Sequence, residues 1–136
     1  MPKSKTIDLA WAAGLFDGEG SIGVYARKSG WYVVAQLQMS HRPTCHRFAE
    51  VVGSGGLFRN KKRAGYKQAY RILVSARKAE KLLGLLLPFL VAKKREALLA
   101  LRVRQRQGVP GRHHSHQEKE WFRRQALKMK ALKRGH

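Results

Sequence analysis

Ala12-Ala13-Gly14-Leu15-Phe16-Asp17-Gly18-Glu19-Gly20 is a run of small and apolar residues that ends in two carboxylates one glycine apart. The chain holds 29 Lys and Arg against 8 Asp and Glu, so acids are scarce. Residues 1–25 nevertheless carry Asp8, Asp17 and Glu19 against Lys3 and Lys5. Thr6 or Asp8 is placed to cap a helix, and Ile7, Trp11 and Leu15 recur every four residues, which predicts an apolar stripe for a core. Ala10, Gly14 and Gly18 recur at the same interval and make a smooth second face against which another backbone can pack closely. Glycine inside a helix costs about 1 kcal/mol relative to alanine, so Gly14 points to such a neighbour. Gly18 and Gly20 end the helix and leave the Glu19 carboxylate at its mouth. The plain alternative is a helix C-cap with two solvated acids.

Residues 13–20 resemble the LAGLIDADG motif of the homing endonucleases: Ala13-Gly14-Leu15 for A-G-L, Phe16 for I, Asp17 for D, Gly18 for A, Glu19 for the second D and Gly20 for G; only the leading Leu is replaced, by Ala12. The resemblance implies two motif helices packed together, with Ala10, Gly14, Asp17 and Gly18 at the interface. It implies that Glu19, helped by the Gly18 carbonyl, binds a divalent metal at the scissile phosphate. Mg2+ is the expected ion, with Mn2+ or Ca2+ able to substitute in binding. Glutamate for the family's aspartate keeps the charge and adds a methylene.

A length of 136 residues fits one folded unit. Its division is read as a core over 1–107 and a basic linker with a C-terminal helix over 108–136, packing on the core or extending it. A net charge of +21 and a pI near 11.2 point to a polyanionic partner, nucleic acid before anionic membrane. The longest apolar run, Leu85 to Ala92, is broken by Pro88 and too short to span a bilayer. No secretory signal pattern opens the chain. A lone cysteine, Cys45, excludes an internal disulfide and a Cys-rich zinc site. These features predict a cytoplasmic, nucleoid-associated or organellar protein that is not secreted, with neither a membrane nor a small molecule as its partner.

Beyond the motif, alternation predicts strands over 21–28 and 31–40, turning at Ser29-Gly30. Ile22, Val24, Ala26, Val33, Ala35, Leu37 and Met39 form the inner face, and Tyr25, Arg27, Tyr32, Gln36 and Gln38 the outer. Glutamine and arginine there suit base-edge readout, Gln with adenine and Arg with guanine; a merely solvated face is the alternative. A short helix over 42–53 starts at Pro43-Thr44 and stops at Gly53. A second hairpin is expected over 57–63 and 66–75, with Arg59, Lys61, Arg63, Lys67 and Arg71 adding basic side chains to a curved surface. A helix over 76–92 with Ala79, Leu82, Leu83 and Leu86 inward ends at Pro88. Another follows to about Gln107, with Leu98, Leu99 and Leu101. Residues 93–136 hold fourteen basic residues against three acids. Within them, His113, His114 and His116 lack the spacing of a zinc site, and an amphipathic helix over 118–134 carries Trp121, Leu127 and Leu132.

This order matches the αββαββα, α+β fold of the resembling family, an antiparallel four-stranded DNA-binding saddle here extended by C-terminal helices. The resemblance also puts Lys93, after Pro88-Phe89-Leu90, near the active site, where a lysine stabilises charge developing on phosphorus. His41 stands where the family keeps a glutamine that positions water. It orients water, acts as a base or neighbours a helix cap, with Gln38 as the backup. The implied function is a homodimeric, site-specific endonuclease that cuts both strands of a long near-palindromic double-stranded DNA by metal-dependent hydrolysis. Alternatives are an inactive DNA- or RNA-binding relative, such as an intron maturase or a regulator, and more distantly an unrelated basic structural protein.

Overall fold

Helix α1 (Lys3–Glu19) passes directly into strand β1 (Gly20–Arg27). A Cβ at residue 20 would run into the Phe16 ring, so glycine is what lets the chain fold straight back onto its own helix. The computed structural model describes residues 3–28, 30–53, 57–62, 64–108 and 114–135. After β1 come β2 (Gly30–Met39), α2 (Arg42–Val52), β3 (Leu57–Arg59), β4 (Tyr70–Ser75), α3 (Ala76–Leu86), a 3-10 turn (Leu87–Phe89), α4 (Lys94–Gln107) and α5 (His116–Arg134). The order is αββαββα followed by two further helices.

The strands form one antiparallel sheet in the order β1-β2-β4-β3. One face packs Ile22, Val24, Val33, Ala35, Leu37, Ile72 and Val74 against the helices. Ala26, expected on that face, is exposed near the turn end of the β1–β2 ribbon.

The second hairpin is shorter than expected. Strand β3 pairs with β4 through three residues only, so the expected saddle of two full hairpins is partly formed. Past Arg59 one backbone bond survives, from Asn60 N–H to the Ala69 carbonyl, and the Gln68 side chain donates to the carbonyls of Asn60 and Ala69. Asn60, Lys61 and Lys62 are weak strand formers, and a ladder continued in the same register would set Lys62 opposite Lys67, like charges that repel. Gly65, at φ +82°, turns the remaining loop.

Helix α1 buries Leu9, Ala12, Ala13 and Phe16, with Phe16 stacked on Phe48 of α2. The expected stripe of Ile7, Trp11 and Leu15 lies to one side: Ile7 is 58% exposed and the other two are half-buried. The helix is thus rotated toward its small residues, which let it sit close on the sheet. It starts earlier than the caps expected at Thr6 or Asp8, and Asp8 instead pairs with Arg47 of α2 at 3.3 Å. Gly53 ends α2 in the left-handed conformation, as its position predicted.

Pro88 breaks the expected 76–92 helix early, so α3 stops at Leu86 and the 3-10 turn leads to α4. The buried face of α4 is Glu96, Ala97, Leu99, Ala100 and Val103, with Leu98 exposed. That of α5 is Phe122, Ala126 and Met129, in the same core as α1; Leu127 is exposed and Trp121 and Leu132 are half-buried. A capping box from Ser115 and Glu118 starts α5. Among the described residues no helix is long and apolar enough to cross a membrane.

Candidate active site and nucleic-acid interface

The last turn of α1 is held by the loop that precedes α4. The two Asp17 carboxylate oxygens accept from the backbone N–H groups of Val91, at 2.9 Å, and Lys93, at 3.0 Å. Lys93 Nζ donates to the Asp17 carbonyl at 2.7 Å. These bonds lock the loop before α4 onto the end of α1. Asp17 therefore acts as a clamp, and Lys93 is drawn to within one residue of Gly18 and two of Glu19.

Glu19 is exposed, and among the described residues no side-chain hydrogen bond or ion pair engages it. Gly18 is exposed beside it, and its carbonyl is one of the four at the helix end that lack an intrahelical donor. Carboxylate and carbonyl oxygens are the donors that Mg2+ and Ca2+ prefer. No group of three or more His, Cys, Asp or Glu side chains gathers among the described residues, so one chain supplies only part of a metal's ligands. Mg2+ characteristically takes one or two carboxylates and completes its shell with water and substrate phosphate. Glu19 and the Gly18 carbonyl fit that demand as part of such a shell.

Beside this helix end lies a pocket of about 300 Å³ lined by Asp17, Gly20, Ser21, Ile22, Ala92, Lys93, Glu96 and Lys133. Two of these residues, Glu96 and Lys133, do not stand out in the sequence. Glu96 is 2% exposed and sits on the buried stripe of α4 with Ala100 and Val103. Lys133 falls four residues after Met129 and eleven after Phe122, on the inward stripe of α5. Its Nζ lies 3.5 Å from Ser21 Oγ. Burial lowers the Lys133 pKa, Glu96 opposes that shift and Lys93 adds to it. The one sequence signal is a charged residue on an otherwise apolar stripe, in each helix.

His41 caps α2: its Nδ1 accepts the Thr44 N–H at 3.3 Å and lies 2.6 Å from Thr44 Oγ1. Gln38 is exposed on β2, opposite Arg71 of β4. On the outer face Tyr25 lies over Gly23, where a Cβ would strike its ring, and 5.8 Å from the Tyr32 ring. The Arg27 guanidinium stacks on Tyr32 at 3.5 Å. Gln36 is half-buried on the same face. Arg71 is half-buried there, and its Nε is buried without a hydrogen-bond partner among the described residues.

The remaining basic candidates sit elsewhere. Arg59 pairs with Tyr70, whose face of β4 also carries Ile72 and Val74, so it turns to the opposite side of the sheet from Arg71. There it lines a 450 Å³ pocket with Arg42, Leu57 and Tyr70. Lys61 and Lys67 are exposed in the loop beyond the strands, because the ladder ends before them. Arg63 and His113 lie outside the described residues. Ala10 and Gly14 are exposed on α1, and a Cβ at Gly14 or Gly18 would meet nothing within 4 Å. Cys45 is buried, which pushes its thiol pKa up and removes it from chemistry.

No protein-family model and no curated protein matches the chain. Solved structures do. The archaeal intron-encoded homing endonuclease I-Vdi141I, complexed with DNA, superposes with a TM-score of 0.78 at 19% identity, over 94% of this chain and 85% of that one. The homing endonuclease I-CvuI, in complex with its target in the presence of Ca, gives 0.71 at 17% identity, over 96% and 85%. The LAGLIDADG homing endonuclease I-GzeII, in complex with a DNA target, gives 0.66 at 13%, over 89% of this chain but 43% of that one. The chain has the fold of the LAGLIDADG homing endonucleases.

Proposed function

We propose that this protein is a site-specific endonuclease that works on double-stranded DNA as a pair of identical chains. Two α1 helices pack through the exposed faces of Ala10, Gly14 and Gly18, which brings the two Glu19 carboxylates together. The carrying observation is Glu19 itself, an exposed acid at a clamped helix end in a chain of net charge +21. A divalent cation held by Glu19 and the Gly18 carbonyl, Mg2+ by preference, supplies positive charge where negative charge builds up on the phosphate.

The chain's own residues do the rest. Asp17 fixes the position of Lys93 through two backbone bonds. A water adds to phosphorus and the bond from phosphorus to one sugar oxygen breaks, so the strand is cut by hydrolysis. The outer face, with Tyr25, Arg27, Gln36, Gln38 and Arg71, lies against a DNA groove. Lys61 and Lys67, exposed in the loop beyond the strands, contact backbone phosphates at its margin. Several structures that share this fold are homing endonucleases in complex with DNA, which supports this reading. A reading as a binding protein without cleavage is favoured by one observation, the commitment of His41 Nδ1 to capping α2.

The test is incubation with a library of random duplex sites in Mg2+ and sequencing of the cut ends. Double-strand cuts at a long, near-palindromic site are expected. DNA binding with no Mg2+-dependent cutting would select the binding-only alternative.

A further inference from the structure

The lysines of α5 do not form one diffuse phosphate-binding face; they divide. Lys128 and Lys130 are exposed, whereas Lys133 is half-buried and points with Phe122, Ala126 and Met129 toward the core. An apolar residue would continue that stripe, and a lysine there costs desolvation unless its ammonium finds a polar place. The place it finds is the pocket beside Glu19, where it shares the walls with Ser21, Lys93 and Glu96.

The two lysines of the pocket differ in what they already hold. Lys93 Nζ is bound at 2.7 Å to the Asp17 carbonyl and serves the clamp. Among the described residues Lys133 Nζ is engaged only by the long 3.5 Å approach to Ser21 Oγ, although an ammonium carries three donors. Glu96, 2% exposed on α4, provides the counter-charge that favours the protonated lysine, against burial and Lys93. A pocket of about 300 Å³ has room for a phosphoryl group and several waters, each of about 30 Å³.

We propose that Lys133 is a catalytic residue of the same site, delivered by the last turn of α5, whose ammonium contacts a non-bridging oxygen of the phosphate to be cut. The proposal rests on the endonuclease reading above. It makes the C-terminal helix part of the reaction centre, and assigns positioning to Lys93 and the charge contact to Lys133. A positioned cation at a phosphoryl oxygen acts most strongly in the transition state, so its loss lowers the rate more than it weakens binding.

The experiment compares wild type, K133M and K133R on a site the wild type cuts, under saturating single-turnover conditions in Mg2+, with affinity measured separately in Ca2+ and folding followed by thermal melting. K133M is expected to cut about 100-fold slower, with affinity within about threefold and the DNA salt slope changed by about one unit at most. K133R should recover much of the rate. Should K133M melt far below wild type, K133Q, which keeps a donor toward Ser21 without the charge, replaces it under the same criteria. Wild-type cutting with unchanged K133M or K133Q rates overturns the role of Lys133 and leaves the endonuclease reading standing. So does a loss of rate that follows loss of folding alone. A wild type without Mg2+-dependent cutting overturns the endonuclease reading itself, and Lys133's role with it.

Discussion

Asp17 shows how one side chain sets the geometry of a site without being its reactive group. Its two oxygens take the N–H groups of Val91 and Lys93, which precede α4 and have no helix partner of their own. Hydrogen bonds to a charged acceptor are among the stronger ones, so Asp17→Ala should lower stability by about 2 to 3 kcal/mol in urea unfolding. It should also slow cutting, because Lys93 loses its anchor; unchanged stability would mean that the loop is held by something else. At this scale the sequence is legible where a motif carries the signal. Asp17 and Glu19 stand out by type and spacing and Lys93 by the resemblance, and the structure brings them to one helix end. Glu96 and Lys133 do not stand out, because each is a single charge among many on a basic helix, and only three-dimensional packing turns both into one pocket. Periodicity misplaces Arg59, because a three-residue ladder leaves its facing to register, which periodicity alone does not determine.

Among the elements, α1 would satisfy two packing demands at once in the proposed dimer. Leu9, Ala12, Ala13 and Phe16 face the sheet, while Ala10, Gly14 and Gly18 face outward. The order of helices and strands is readable from period and from Gly and Pro punctuation, since a helix and an alternating strand impose different repeats. The rotation of α1 is not, because small residues on both faces blur the apolar moment, and the large residues Ile7, Trp11 and Leu15 mark a stripe beside the buried one. The exposed glycines give a two-sided prediction. A Cβ at Gly14 meets nothing within 4 Å among the described residues, and glycine is about 1 kcal/mol worse than alanine in a helix, so Gly14→Leu should melt no lower than wild type as an isolated chain. The same change should convert the dimer to monomer in sedimentation, because the leucine separates the paired helices. A dimer of unchanged affinity would place the interface elsewhere.

Over the whole molecule, the proposed function divides the labour: a charge of +21 would supply attraction to DNA, and a smaller set of side chains would supply choice. Lys128 and Lys130 are exposed on α5. Removing both should weaken binding to all sequences alike and flatten the plot of log affinity against log salt by about one unit for each phosphate left unneutralised. Gln38 and Arg71 face each other across β2 and β4 on the outer face. Replacing either should relax preference at particular base pairs by about 1 to 3 kcal/mol if the contact is bidentate, read by affinity across single-base variants of the site. The reverse pattern, with α5 variants altering base preference and strand variants altering only the salt slope, would remove the sheet from the reading surface.

The central claim is that Glu19 holds the metal at which DNA is cut, and Glu19→Gln tests it most directly, since it removes the charge with little change in volume. On a site that the wild type cuts, single-turnover cleavage by E19Q in Mg2+ should fall to background while affinity for the same DNA, measured in Ca2+, stays within a few fold. Cutting by E19Q at the wild-type rate would contradict the account.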